Sequence, residues 1–137
     1  MSEKINTNKA PEPVGAYPHA RREGDLLFLS GIGPRKPGTK AIPGVTFDEN
    51  GDVIDHDIEL QTRSVIENVE AVLEASGSSL DKVVDVLVFL TDMDRDFAGY
   101  NKVYAEFFTS VGATRTTVAV TALPTPIAVE FKVIAKA

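Results

Sequence analysis

The residues of this chain best suited to chemistry are Arg115 and Glu130. Arg115 opens the run Arg-Thr-Thr-Val-Ala-Val, and Glu130 lies inside Ile-Ala-Val-Glu-Phe-Lys-Val-Ile. These are two apolar, β-branched stretches joined by a proline-containing turn. A hairpin centred on residues 121–124 would set Arg115 opposite Glu130. One reading is a cross-strand ion pair, worth under about 1 kcal/mol at the surface. The other is a working pair, in which arginine offers a rigid fork for a substrate carboxylate and the glutamate orients and deprotonates a water. Local pattern leaves both open.

The elements that must position the two are legible around them. Residues 57–76 carry Ile58, Val65, Ile66, Val69, Val72 and Leu73 at helical spacing, charged residues on the other side, and Gly77 at the stop. Asp96 is placed to cap a second helix, in which Phe97, Tyr100, Tyr104, Phe107 and Phe108 form an aromatic stripe read as core. Val83–Leu90 is a continuous apolar run, as expected of a central strand. Residues 25–31 read as a buried strand with the preceding Ala16–Gly24 as an irregular partner. Residues 1–13 read as a flexible N-terminal lead-in, and residues 14–137 as one domain. Within it, residues 33–56 form a turn-rich insertion in which Asn50-Gly51 signals a small β-ribbon.

The resulting order, β-β-α-β-α-β-β, predicts an α+β layer with two helices on one face of a mixed sheet. Alternation sorts Arg115, Thr117 and Ala119 from Val118 and Val120, and Ile127, Val129, Phe131 and Val133 from Ala128, Glu130, Lys132 and Ile134. Neither set is strongly polar. With no sequence left to cover the second face, the expected cover is another copy of the chain.

Composition removes other classes. The chain has 137 residues, a net charge of −6 and no cysteine, and its only histidines are His19 and His56. Disulfide, thiolate and Cys/His metal chemistry have no raw material, though a carboxylate-only metal site stays formally open. The acidic balance argues against nucleic acid and anionic membranes as partners. The first residues lack the apolar core of a signal peptide and no run approaches a membrane span, so a cytoplasmic protein is expected.

The blocks Gly-Ala-Tyr-Pro-His-Ala (15–20), Phe-Leu-Ser-Gly-Ile-Gly-Pro (28–34), residues 68–77, residues 96–108 and above all residues 115–131 resemble, in order, those of the Rid/YjgF family of imine and enamine deaminases. The resemblance implies a chorismate-mutase-like fold and a homotrimer with ligand sites between subunits. It implies a carboxylate substrate and no cofactor or metal. By position, Arg115 corresponds to the arginine that holds the substrate carboxylate and Glu130 to the acid associated with the hydrolytic water. Tyr17 matches the aromatic that closes the pocket, Asn101 a polar residue lining it, and Gly31 the glycine turn near the ligand. On residue type alone, Tyr17 could simply pack a strand, Asn101 be solvated and Gly31 be a plain turn.

The insertion, residues 58–69 and residues 98–108 are most similar to the 2-aminomuconate deaminase branch, which implies a dicarboxylate substrate and a place in aromatic catabolism. Arg35 or Lys36, in the insertion, is then expected to meet the distal carboxylate; both could equally be solvated loop charges. Three positions depart from the common pattern and bear on pocket shape: Pro18 after Tyr17, His19 where glutamine is frequent, and Thr117 where cysteine is frequent. A general 2-imino acid scavenger, a non-catalytic carboxylate-binding trimer and an RNA-cleaving protein are the competing expectations. The charge disfavours the last.

Overall fold

The structure, a computed structural model, describes residues 2–137. Strands β1 (Ser2–Ile5), β2 (Ala20–Glu23) and β3 (Leu26–Leu29) are followed by β4 (Val45–Phe47) and β5 (Val53–His56), helix α1 (Ile58–Ala75), β6 (Val83–Leu90), α2 (Met93–Phe108), β7 (Thr114–Ala119) and β8 (Val129–Lys136). Six strands form one mixed sheet in the order β1-β2-β3-β8-β6-β7, and β4 and β5 form the separate ribbon expected around Asn50-Gly51. This is the expected α+β architecture, with β1 added.

Each helix is set by its ends. Asp57 Oδ1 accepts from the Leu60 amide at 3.1 Å and caps α1, and Gly77, at φ 79°, takes the left-handed turn that closes it. For α2 the cap is Asp92, whose Oδ1 accepts from the Arg95 amide at 3.0 Å, one turn earlier than expected. Asp96 is instead buried in the first turn and gripped by Arg95 Nε at 2.8 Å and Nη2 at 2.6 Å. Three aspartates lie within five positions here, and each type-matches a cap.

Both helices pack on one sheet face. Val65, Ile66, Val69, Val72 and Leu73 of α1 and Tyr100, Val103, Tyr104 and Phe108 of α2 meet Leu27, Leu29, Val86, Val88, Val129, Phe131 and Val133. Each such aliphatic side chain stabilises the fold by roughly 1.5–3 kcal/mol. The opposite face carries Leu26, Phe28 and Val118, each 37% exposed. That is the uncovered face alternation anticipated.

Two expectations fail. Ser2–Ile5, in the stretch set apart as a lead-in, pairs antiparallel with β2, and Ile5 and Ala10 are buried. Its mostly polar sequence suits an edge strand and hides the strand from an apolar-pattern reading. The hairpin between the last two strands does not form either. β6, α2 and β7 make a crossover unit in which β7 runs parallel to β6, while β8 pairs antiparallel on β6's other side. The proline-containing connection therefore crosses over β6, and Arg115 and Glu130 are never cross-strand neighbours.

Candidate functional site

Register settles where the two residues point. Arg115 aligns with Val86, which is fully buried beneath the helices, so Arg115 lies on the helix face of edge strand β7. Glu130 aligns with Phe89 on the other, open face. Two strand spacings separate their strands laterally by about 9–10 Å. Two half-sites result.

The first is built on α2. Arg115 Nη1 donates to Asn101 Oδ1 at 2.8 Å, and its guanidinium carbon lies 4.8 Å from the Tyr104 ring centre, 5.2 Å from Tyr100 and 5.9 Å from Phe97. Phe97, Tyr100, Asn101 and Tyr104 share one helix face at three- and four-residue steps. The rings hold the cation by their faces and leave the rest of its planar fork to an anion. The Tyr100 hydroxyl and Thr117 Oγ1 hydrogen bond at 2.5 Å, which fixes the ring under the arginine. Burial pushes the Tyr104 phenol up to about 12 and raises Tyr100 as well, so both stay neutral. The aromatic stripe is thus core on one side and the seat of the Arg115 guanidinium on the other, a double use that its apolar spacing concealed.

The second half-site surrounds Glu130. Ile32 and Phe131 exchange backbone hydrogen bonds of 2.9 Å in both directions and press the glycine turn against β8. A Cβ on Gly31 would sit 2.6 Å from Glu130 Oε2 and 3.0 Å from Cδ, so the carboxyl lies directly on the glycine backbone. Tyr17, Gly31, Arg35, Thr125, Ile127 and Glu130 line a cavity of about 140 Å³. Burial raises the Glu130 pKa above its ordinary 4.5, which makes it a better base. Lys132, on the same face, donates to the Leu29 carbonyl and has its pKa lowered by burial.

Arg35 enters this cavity because its loop is pinned. The buried Asn68 of α1 donates from Nδ2 to the Gly33 carbonyl at 2.9 Å and the Arg35 carbonyl at 2.8 Å, and Arg35 Nη2 donates to the Glu12 carbonyl at 2.7 Å. Lys36 lines a different depression with Lys9, Ser64 and Glu67. Tyr17 is 40% exposed and its hydroxyl accepts from the Val14 amide at 3.2 Å. His19 is structural: its ring nitrogens meet the Thr7 amide at 3.2 Å and the Pro11 carbonyl at 2.7 Å, tying down the segment after β1.

Of the six expected site residues, Tyr17, Gly31, Arg35 and Glu130 therefore converge in one cavity. Arg115 and Asn101 converge at the other half-site. Sequence reasoning missed Tyr100, Tyr104 and Asn68, whose polar atoms on an otherwise apolar helical face were the available signal.

The family model described as "Endoribonuclease L-PSP" matches residues 7–137. A RutC family protein of Pyrococcus horikoshii is 42% identical over 135 residues, covering 98% of each chain. The chloroplastic Reactive Intermediate Deaminase A of Arabidopsis thaliana is 34% identical over 133 residues, 97% of this chain and 65% of that protein. The crystal structure of E. coli TdcF with bound serine superposes with a TM-score of 0.83 at 34% identity, covering 98% of both chains.

Proposed function

The chain belongs to the endoribonuclease L-PSP family, which includes the Rid proteins, and on that premise we propose that it is a cofactor-independent deaminase of imines and enamines acting as a homotrimer. The observation that carries this reading is the split of Arg115 and Glu130 between opposite sheet faces. An edge-strand cation on one copy and a cavity carboxylate on the next complete each other only across an interface. The exposed Leu26, Phe28 and Val118 give that interface apolar area to bury.

The chemistry then follows from the groups present. The Arg115 fork of one copy takes the substrate carboxylate, while Asn101 and the three rings hold the guanidinium in orientation. An enamine protonates at carbon to give the 2-imino acid. Glu130 of the neighbouring copy, resting on Gly31, holds a water and removes its proton as the oxygen attacks the imine carbon. The proton passes to nitrogen, the C–N bond breaks, ammonia leaves and the carbonyl forms, so imine and water become 2-oxo acid and ammonia. A protonated imine beside a held carboxylate is already electrophilic, and the reaction asks for position rather than for a metal or organic cofactor.

The finer reading is a dicarboxylate substrate of the 2-aminomuconate type, with Arg35 receiving the distal carboxylate. Its support is the position of Arg35, on the Glu130 cavity with its loop held by Asn68. Serine bound in E. coli TdcF favours a second reading, a general small-substrate deaminase. Ammonia release from freshly generated 2-aminomuconate and from a small 2-imino acid, with wild type and Arg115→Ala, separates them. Rapid turnover of the dicarboxylate, abolished in the variant, supports the finer reading. Turnover of the small imine alone supports the general one, and no turnover of either contradicts deamination.

A further inference from the structure

One buried polar side chain outside both half-sites joins three elements. Gln61 of α1 is fully buried, yet every polar atom of its amide has a partner. Its Oε1 accepts from the Ala128 amide at 2.9 Å. Its Nε2 reaches His56 Nδ1 at 2.8 Å and the Gly44 carbonyl at 3.5 Å. Gly44 immediately precedes β4 and His56 ends β5, so the amide touches both arms of the ribbon. Ala128 follows Ile127 and Thr125, which line the Glu130 cavity, and lies two residues before Glu130 itself.

The direction of these bonds is forced. A backbone N–H can only donate, so Oε1 must face Ala128 and Nε2 must face His56. An amide nitrogen can only donate in turn, so His56 Nδ1 must carry no proton and the ring is neutral, protonated at Nε2. Adding a proton at Nδ1 would set two donors 2.8 Å apart inside the fold.

We propose that Gln61 is a positioning residue for the cavity wall that leads into Glu130, and that His56 is its latch, closed when neutral and opened by a proton on Nδ1. Opening removes the side-chain tie between β5 and α1, while the Asp57 amide keeps its 2.7 Å bond to the Gly44 carbonyl, and it leaves the Ala128 amide without its fixed acceptor. The charged groups around His56 are Asp55 on its own strand and the Arg95–Asp96 ion pair on α2. Burial and then Arg95 lower the His56 pKa from 6.5, against the pull of Asp96 and Asp55. A histidine lowered in the fold stabilises it fully above the unfolded value and loses that contribution as pH falls below 6.5. The latch is therefore closed at neutral pH and opens on the acid side, and this holds whatever reaction the cavity performs.

The test is an NMR titration of the full chain between neutral and mildly acidic pH, following the His56 Cε1 proton and the Ala128 amide, with His56→Asn as comparison. The Asn oxygen can accept from Gln61 at any pH. The expected result is that the Ala128 amide moves with the same midpoint as His56, below 6.5, and stays flat in His56→Asn. An Ala128 amide that ignores the His56 titration, or that moves equally in the variant, overturns the proposal. If the variant does not fold, coincidence of the two wild-type midpoints decides alone. Because no step reads ammonia, failure here is distinct from failure of the deaminase reading.

Discussion

Arg115 and Glu130 flank the same strand from opposite faces of the sheet. Arg115 aligns with Val86 and lies over the aromatic rings of α2, whereas Glu130 aligns with Phe89 and rests against Gly31. A single copy cannot bring them to one substrate, because β6 and its buried side chains stand between them. Each half-site nevertheless has the features of a binding element: a cation whose ring-stacked faces leave its fork open, and a half-buried carboxylate in a cavity.

The first prediction concerns the fork. Arg115→Ala should lower kcat/KM by about a hundredfold or more, to the background of an ammonia-release assay, through loss of charge-assisted bonds to the substrate carboxylate. Arg115→Lys should recover only part, since an ammonium keeps the charge and loses the planar geometry. Asn101→Ala, which releases Nη1, should raise KM by about tenfold with little change in kcat. Steady-state kinetics on one 2-imino acid checks all three.

Glu130 should show a conflict between stability and function. Its folded pKa is raised by burial, so its contribution to stability is present below 4.5 and lost as pH rises through the higher folded value. Glu130→Gln should therefore melt at a higher temperature than wild type at neutral pH, with the difference shrinking as pH falls towards 4. It should also be inactive. Thermal melts across this range are decisive, and a lower melting temperature at neutral pH would contradict the assignment.

Gly31→Ala probes the contact that seats the carboxyl. The new Cβ would lie 2.6 Å from Glu130 Oε2, and a displacement near 1 Å at a reacting group can cost about a hundredfold in rate. The clashing atom ends a flexible side chain, so the fold should absorb the change with little loss of melting temperature. Parallel melts and kinetics read out the contrast.

Arg35 and Lys36 are adjacent in sequence and share one depression, but only Arg35 also lines the Glu130 cavity. Arg35→Glu should raise KM for a dicarboxylic imine by about tenfold or more and spare small monocarboxylic ones, by loss of the distal ion pair and its replacement with repulsion. Lys36→Glu serves as the matched charge control. Equal effects of Arg35→Glu on both substrates would remove Arg35 from substrate recognition.

Much of this arrangement is readable in the sequence because it depends on local rules. The periodicity and cap of α1, the Asn50-Gly51 ribbon, the continuous apolar β6 and the alternation along β7 and β8 all follow from neighbours a few positions apart. What local rules cannot supply is which strand inserts between which. A proline-containing turn between two strand-like stretches favours a hairpin, but β6 occupies the place between them, and only long-range pairing decides that. The polar β1 escaped for a related reason, since an edge strand needs few apolar residues. The Arg115 cage was hidden inside an aromatic stripe whose spacing is that of an ordinary core.

Mixed assemblies test most directly whether the working site is shared between copies. Arg115→Ala and Glu130→Gln proteins, each inactive alone, would be co-refolded in equal amounts and assayed for ammonia release. If every site takes its arginine from one copy and its glutamate from another, random mixing restores about a quarter of the wild-type sites. Activity near that level is the predicted result. Mixtures that refold into oligomers and remain as inactive as either variant would contradict a site built from two copies.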